Sequence, residues 1–243
     1  KCFGCGVGGD VIKFLMEIEG LDFIEALEKL AKRAGVKLEK KGRDNQSSEK
    51  KRVLEMHSLA GEYYHYLLME HKVGEVARKY LLGRGLNKKI WESFRLGFSL
   101  STWDGLSKFL IEKKGFKENE LISAGLSIKG SKGGVYDRFR GRIMFPLLDS
   151  GEKVVGFSGR VIPELARENE PKYINSPETL VYHKSQMLFG LTQARQAIRK
   201  KDQVVVVEGE LDMISSFMAG VTETVAIKGS ALTEEMVEKL ARL

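Results

Sequence analysis

The fold of this 243-residue chain is decided by one stretch, VVVVEGELD at residues 204–212. Four consecutive β-branched valines predict a strand buried on both faces, which is typical of a central strand in a parallel sheet. Glu208 follows where the chain turns over the carboxyl edge of the sheet, and ligands of open α/β sheets bind at that edge. Gly209 permits a sharp turn, and Asp212 comes one helical turn later. Two carboxylates placed in this way could hold a divalent cation.

A second interpretation of the same stretch needs no metal. A strand can end in a solvated glutamate, and an acidic residue in the first turn of the next helix is favoured by the helix dipole. Residues 204–212 alone leave the two interpretations open. The elements that follow are predicted as a helix over 211–219, a strand over 224–227 and a helix capped by Thr233. They form one βαβ unit, the opening half of a parallel-sheet domain.

Composition and charge limit the class of protein. Hydrophobic residues make up 42% of the chain and charged residues 30%, as in a globular protein. No apolar run reaches the ~20 residues of a membrane span and no signal-peptide pattern is present, so we expect a cytoplasmic location and no membrane partner. The net charge is +5 over residues 1–128, +6 over 129–200 and −4 over 201–243. This division suits a protein that grips a polyanion and holds metal ions, although an ordinary uneven surface explains it equally well.

The cysteines lie together at the start of the chain. Cys2 and Cys5 form a C-x-x-C pair, in which two thiolates can bind one side of a tetrahedral Zn²⁺. The redox version of this motif normally opens a helix after a strand. Because the next Cys or His is His57, we expect the remaining zinc ligands upstream of Lys1.

The chain divides into four predicted parts. Residues 1–40 form a small module of two helices after the cysteines, and residues 41–52 form a charged linker. The linker is predicted because residues 39–52 contain no apolar side chain and cannot bury a core. Residues 53–202 form a basic subdomain, and residues 203–243 begin the parallel sheet.

Two segments of the basic subdomain are candidate phosphate contacts. In DRFRGR at 137–142, an extended chain would project Arg138, Arg140 and Arg142 to one face, where guanidinium groups bind phosphate bidentately. A charged edge strand that resists aggregation is the alternative. Residues 143–148 and 153–162 are predicted to form a hairpin, and the glycines of GFSGR at 156–160 indicate close approach by a ligand or another chain segment.

The loop PKYINSPET at residues 171–179 carries a mixed set of polar side chains. Lys172, Tyr173 and Asn175 lie close together in it, and Lys184 follows shortly after. This mixture can contact phosphate, ribose and base, although many loops have a similar composition.

Several of these segments, in the same order, resemble the bacterial DnaG-type primase family. The resemblance is carried by the zinc half-motif and the helix after it, by the basic strand and turn region, and by the KYINSPET loop, which is the most specific piece. VEGELD at 207–212 resembles the first motif of a Toprim domain, which primases share with some topoisomerases and nucleases. The fold implied is α+β, with a partial zinc-ribbon module, a mixed α/β basic subdomain and the first βαβ unit of a Toprim-type parallel sheet.

The resemblance also implies a function. The family synthesises short RNA primers from ribonucleoside triphosphates on single-stranded DNA during replication, by metal-assisted nucleotidyl transfer. Cys2 and Cys5 would bind a structural Zn²⁺, and Glu208 and Asp212 would help to hold catalytic Mg²⁺ or Mn²⁺. A replicative helicase would bind through a C-terminal domain outside this chain. The residues expected to contact template or nucleotide are Arg138, Arg140, Arg142, Arg160, Lys172, Tyr173, Asn175 and Lys184.

The chain departs from the family at a few positions. Glu210 stands where the family often has an aromatic residue, Ser230 stands where a Gly-Thr pair is usual, and the family's Asp-x-Asp metal motif would lie after Leu243. One alternative is a Toprim nuclease or topoisomerase fragment, which would not predict the KYINSPET loop or the arginine segment. Another is a non-catalytic zinc-containing DNA-binding module, which would not need Glu208. The absence of G-x-x-x-x-G-K-[ST] argues against a P-loop ATPase.

Overall fold

The structure, a computed structural model, describes Gly4, Leu21, Leu38 and residues 8–19, 23–36, 44–131, 133–229 and 231–243. The helices are α1 Val11–Glu19, α2 Phe23–Ala34, α3 Asp44–Met69, α4 Glu75–Gly83, α5 Lys88–Ser93, α6 Gly105–Lys108, α7 Glu118–Ser123, α8 Leu191–Lys201, α9 Glu210–Met218 and α10 Glu234–Ala241. The strands are β1 Gly97–Ser99, β2 Ser127–Lys129, β3 Val135–Asp137, β4 Arg142–Leu148, β5 Val154–Val161, β6 Tyr173–Asn175, β7 Leu188–Phe189, β8 Val205–Val207 and β9 Thr224–Ile227.

The chain falls into two compact units. The antiparallel unit comprises residues 47–149 and 153–184, and the parallel unit comprises residues 1–46, 150–152 and 185–243. In the antiparallel unit, strands β1, β4, β5 and β6 form a sheet in that order, and β2 pairs with β3. Strand β4 pairs antiparallel with β5, with Phe145 opposite Ser158, which confirms the predicted hairpin.

Helix α3 packs directly on this sheet. A Cβ on Gly97 of β1 would lie 2.6 Å from the Tyr64 Cβ, so only glycine permits the helix to come this close. The Tyr64 ring meets the Phe157 ring edge-on, with 5.4 Å between the centroids, and both rings are buried. This contact anchors α3 on the sheet, in which Arg142 lies on β4 and Arg160 on β5.

The predicted linker at 41–52 is helical from Asp44 onward, where α3 begins. The polar residues there, which include EKKR at 49–52, are good helix formers, and they extend a helix that Val53 and later residues anchor in the core. Arg52 also donates from its Nη2 to Glu120 at 3.1 Å and lies over the Phe116 ring at 4.7 Å. Residues 44–52 are therefore helical although none of them is apolar.

The parallel unit is built around β9. Strands β8 and β9 pair in parallel with α9 between them, and β7 lies antiparallel on the other side of β9. The valine strand is therefore an edge strand, and Val205 and Val206 are 36% and 37% exposed. Within the described residues, this strand is therefore neither central nor buried on both faces, in contrast to the prediction. Strand β9 is the buried one, because it has partners on both sides, whereas no described strand pairs with the outer edge of β8.

The parallel unit begins earlier than the predicted boundary at 202/203. Strand β7 belongs to its sheet, and Ala194 and Ile198 of α8 share its core with Val225 and Met236. The unit therefore includes residues from 185 onward, because the apolar face of α8 is buried with β9. Among the described helices, none is both long and apolar enough to cross a membrane.

A buried histidine makes the stability of the antiparallel unit pH-dependent. His57 of α3 is 0% exposed, and burial lowers its pKa from 6.5 to about 4, although its Nδ1 lies 2.9 Å from the Val53 carbonyl oxygen. The unfolded chain takes up a proton below the ordinary pKa, and the folded chain does so only near pH 4. The contribution of neutral His57 to the free energy of unfolding is therefore complete above pH 6.5. As the pH falls from 6.5 to about 4, this free energy decreases by about 3 kcal/mol.

We expect His57→Leu to remove this part of the pH dependence, because leucine cannot titrate. The measurement is the free energy of unfolding by denaturant across the window, for wild type, His57→Leu and the exposed-histidine control His71→Gln. His71→Gln should keep the wild-type slope. Parallel slopes for wild type and His57→Leu would show that His57 is not the source.

Candidate functional site

Glu208 and Asp212 lie where β8 ends and α9 begins. Gly209 precedes the helix in an extended conformation, and Asp212 lies in the first turn. A Cβ on Gly209 would lie 2.7 Å from Asp212 Oδ2, so a larger residue here would require the carboxylate to move. Both carboxylates are exposed, and neither has a hydrogen-bond or ion-pair partner in the described chain. Two free oxygen ligands at this edge fit a hard divalent cation.

The third acid of this segment has a different environment. Glu210 is turned inward and forms an ion pair with Lys228, which follows β9; both side chains are 3% exposed. The Lys228 ammonium also lies 5.7 Å from the centroid of the Phe189 ring. Only Glu208 and Asp212 therefore face solvent, and the described residues contain no cluster of three or more His, Cys, Asp or Glu suited to a metal.

The predicted comb of three arginines on one strand is wrong. Strand β3 ends at Asp137, and β4 begins at Arg142 after a turn in which Gly141 has φ 62°. The turn is fixed by the Gly141 N–H, which donates to the Ser99 and Leu100 carbonyls at 3.1 and 2.9 Å. The three arginines consequently occupy three different environments.

Arg142 is the buried one. Its side chain is 1% exposed; Nη1 donates to the carbonyls of Gly159 and Pro171 at 3.2 and 3.0 Å, and Nη2 pairs with Glu170 at 2.7 Å. Burial lowers the pKa of the guanidinium, and Glu170 opposes that shift. An external phosphate would have to displace these internal acceptors. Arg142 therefore serves in this structure as a link between β4, β5 and the loop that leads into β6.

Asp137 is buried and holds the start of α6. Its two carboxylate oxygens accept the N–H groups of Leu106 and Ser107, each at 2.8 Å, and its own N–H donates to the Trp103 carbonyl at 2.7 Å. Burial raises the pKa of Asp137, although these hydrogen bonds oppose the shift. Asp137 thus fixes the loop before α6, which contains Trp103. It holds this loop next to the arginines that follow Asp137 in the sequence.

The Trp103 cluster consists of Trp103, Tyr136, Arg140 and Arg167. The guanidinium carbons of Arg140 and Arg167 lie 4.5 and 4.8 Å from the Trp103 ring centroid. The Trp103 and Tyr136 rings meet edge-on at 5.5 Å. The indole is 56% exposed, so an aromatic ring with two guanidinium groups over it lies at the surface.

Arg138 remains as a half-buried cation. Burial lowers the pKa of its guanidinium, and no described residue accepts a hydrogen bond from it. A half-buried guanidinium without an acceptor is poorly compensated in the protein alone. Of the three arginines, Arg138 is the one whose guanidinium has no hydrogen-bond acceptor among the described residues.

Arg160 and the loop residues form a second polar patch. Arg160 lies directly opposite Tyr173 in the sheet, and its Nη1 and Nε donate to the hydroxyls of Tyr173 and Tyr80, each at 2.6 Å. Asn175 lies two residues after Tyr173 and therefore on the same face of β6. Its Oδ1 is buried and has no partner within the described residues. The structure thus brings together three of the predicted contacts and adds Tyr80.

Lys172 and Lys184 are both exposed, and Glu178 Oε1 accepts the Lys184 backbone N–H at 2.8 Å. Cys2 and Cys5, which form the predicted zinc half-site, lie outside the described residues. Sequence reasoning missed Trp103, Arg167 and Tyr80. A tryptophan in the polar segment STWDG at 101–105 is the one local signal that could have indicated the cluster.

The chain matches two protein families. The DNA primase catalytic core, N-terminal domain, matches residues 63–195, and the CHC2 zinc finger matches residues 1–46. The first match covers more than half of the chain and includes the arginine segment and the KYINSPET loop. The chain belongs to the bacterial DnaG-type primase family. The nuclease or topoisomerase alternative does not account for a match in this region.

Similar proteins agree with this assignment. The DNA primase of Listeria monocytogenes serovar 1/2a is 40% identical over 100% of the chain and 39% of its own length. The RNA polymerase domain of Mycobacterium tuberculosis primase DnaG is 39% identical, with a TM-score of 0.72 over 79% of this chain and 61% of that one. A DnaG primase catalytic domain bound to ssDNA is 33% identical, with a TM-score of 0.72 over 81% and 61%. The fold is therefore the α+β fold of a primase catalytic core.

The chain spans about two fifths of the length of the curated primases that it matches. It therefore carries part of the primase catalytic core.

We expect Arg142→Leu to lower the free energy of unfolding by about 3 kcal/mol, because it leaves Glu170 unpaired and removes the link between three chain segments. The matched control is Arg138→Leu, which should change stability by less than about 1 kcal/mol because it breaks no internal hydrogen bond. Denaturant unfolding of both variants measures the difference. Equal losses would contradict the assignment of Arg142 as the internal link.

Proposed function

We propose that the protein is a DNA primase that synthesises short RNA primers on single-stranded DNA from ribonucleoside triphosphates. The observation that carries the proposal is the free carboxylate pair of Glu208 and Asp212 at the carboxyl edge of β8, in a chain that belongs to the primase family. The segment around this pair is proposed to begin a Toprim domain. It is the part of the chain whose chemistry suits nucleotidyl transfer.

The two carboxylates are proposed to help hold Mg²⁺ or Mn²⁺. Bound divalent ions would neutralise charge on the phosphates and stabilise the attacking and departing oxygens. The task of Glu208 and Asp212 is to supply anionic oxygens in a fixed position, and Gly209 supports it by leaving room for the Asp212 carboxylate. Neither carboxylate needs to transfer a proton in this role.

The Trp103 cluster is proposed to bind the single-stranded template. Bases stack on aromatic side chains without regard to sequence, and guanidinium groups attract the phosphates between them. Trp103 is 56% exposed, and the guanidinium groups of Arg140 and Arg167 lie over its ring. The related catalytic domain solved with ssDNA supports this choice of ligand.

Arg138, Arg160, Lys172, Tyr173, Asn175 and Lys184 are proposed to contact template or nucleotide. Arg138 has a guanidinium without an internal acceptor, and Lys172 and Lys184 are exposed. Arg160 is better placed to orient Tyr173 than to bind phosphate alone, because two tyrosine hydroxyls already accept its hydrogen bonds. Arg142 acts indirectly, by holding the loop that carries Lys172.

The remaining proposals follow from the family. Residues 1–40 form part of a zinc-binding domain in which Cys2 and Cys5 bind Zn²⁺, a proposal supported by the CHC2 zinc finger match. Residues 53–184 are proposed to form the basic subdomain, and a Toprim domain is proposed to begin within the parallel unit, at the segment around Glu208. The protein acts in the cytoplasm at the replication fork, with the replicative helicase as its partner.

We expect Glu208→Gln to reduce dinucleotide formation on a single-stranded template by about 100-fold or more, because the amide removes an anionic metal ligand. Template affinity should stay within about 2-fold of wild type. The assay is radiolabelled primer synthesis by the natural full-length protein, and the control is Glu235→Gln, an exposed acid of α10. Normal primer synthesis by Glu208→Gln would contradict the proposed catalytic role of Glu208.

We expect Trp103→Ala to weaken single-stranded DNA binding about 10-fold while leaving the salt dependence unchanged, because it removes stacking but no charge. Arg140→Ala should instead reduce the slope of log affinity against log salt by about 1. Fluorescence anisotropy with an oligonucleotide at several salt concentrations measures both effects.

The control for Trp103→Ala is Tyr66→Ala, which removes another exposed aromatic ring of the antiparallel unit. It should bind DNA as wild type does. If Trp103→Ala and Tyr66→Ala weaken binding equally, or if neither does, the cluster is not the template platform.

A further inference from the structure

The buried pair of Glu210 and Lys228 lies beside the carboxylate segment. In the parallel register, Val207 pairs with Ala226, so Gly209 and Lys228 each lie two residues beyond this pair, just after the ends of β8 and β9. Both residues of the ion pair thus lie at the carboxyl edge, on neighbouring segments. Each side chain is 3% exposed, and Glu210 opens α9 between Glu208 and Asp212.

A buried ion pair in this place needs a reason beyond stability. Removing two charges from water is costly, and apolar residues of similar size often stabilise a protein equally well or better. A cation at the edge would also repel a divalent metal ion unless a nearby anion balanced it. Glu210 supplies that anion, because it pairs with Lys228 inside the protein.

We propose that Glu210 is a positioning residue that neutralises the buried Lys228 and ties the start of α9 to the end of β9, so that Glu208 and Asp212 present their full negative charge to a divalent cation. The proposal rests on the proposed metal-binding role of Glu208 and Asp212. Glu210 itself does not touch the metal, because its carboxylate is directed inward to Lys228.

The charge argument predicts opposite effects for the two halves of the pair. Glu210→Gln removes the carboxylate that pairs with the Lys228 ammonium and should weaken Mn²⁺ binding about 10-fold. Lys228→Met leaves an extra negative charge and should tighten Mn²⁺ binding about 3-fold. The double variant Glu210→Leu with Lys228→Met removes both charges and should bind Mn²⁺ within about 2-fold of wild type. A purely structural pair would predict weaker binding in both single variants.

The experiment measures the dissociation constant of Mn²⁺ by electron paramagnetic resonance of free Mn²⁺, using the natural full-length protein and no nucleotide. Circular dichroism and thermal melting establish which variants fold. The matched control is Glu223→Gln, which breaks a carboxylate–lysine pair with Lys201 immediately before β9, at the opposite end of that strand. It should leave the Mn²⁺ affinity unchanged.

Equal weakening by Glu210→Gln and Lys228→Met would overturn the proposal, as would a loss of about 10-fold or more in the folded double variant. If Glu210→Gln does not fold, the decision rests on Lys228→Met and the double variant, because only the charge argument predicts tighter binding for the former. Glu208→Gln tests the underlying metal site separately. Unchanged Mn²⁺ binding in that variant would remove the proposed function itself, whatever the outcome for Glu210.

Discussion

The guanidinium of Arg142 determines much of the surface of the antiparallel unit. From inside the sheet it contacts the Gly159 carbonyl of β5 and the Pro171 carbonyl, and it pairs with Glu170. Glu170 in turn accepts the backbone N–H of Arg167 at 3.2 Å. One buried cation therefore fixes the loop that brings Arg167 to Trp103 and leads into Lys172 and Tyr173. Without it, the loop would lose these contacts, and Tyr173 would still be held by the pairing of β6 with β5.

Both candidate sites share one arrangement, an exposed functional group supported by a buried ion pair. Arg142 with Glu170 supports the basic surface, and Lys228 with Glu210 supports the carboxylate segment. In each pair, a carboxylate neutralises the cation that it contacts. The exposed groups can then keep unpaired charges for phosphate or metal, since the buried charges are already balanced.

Local patterns were sufficient to predict the elements but not their surroundings. The strand at 224–227 and the hairpin after Arg142 were predicted correctly, because apolar runs and turns are properties of neighbouring residues. Whether the valine strand is central depends on how many strands pair with it, which its own residues do not encode. The role of Asp137 also could not be predicted, since the N–H groups that it accepts come from residues about 30 positions earlier.

Arginine is the residue type for which local reasoning is least secure, because its five donors suit either a phosphate or internal carbonyls. The alternation of DRFRGR predicts a phosphate contact for each of its three arginines. In the folded chain, however, the three guanidinium groups have different hydrogen-bond acceptors. Arg142 is supplied by carbonyls and a carboxylate, whereas no described residue accepts from the Arg138 guanidinium. A half-buried arginine that the fold leaves without acceptors is therefore the better candidate for a phosphate ligand. That distinction depends on tertiary contacts, and Arg138 rather than Arg142 meets it.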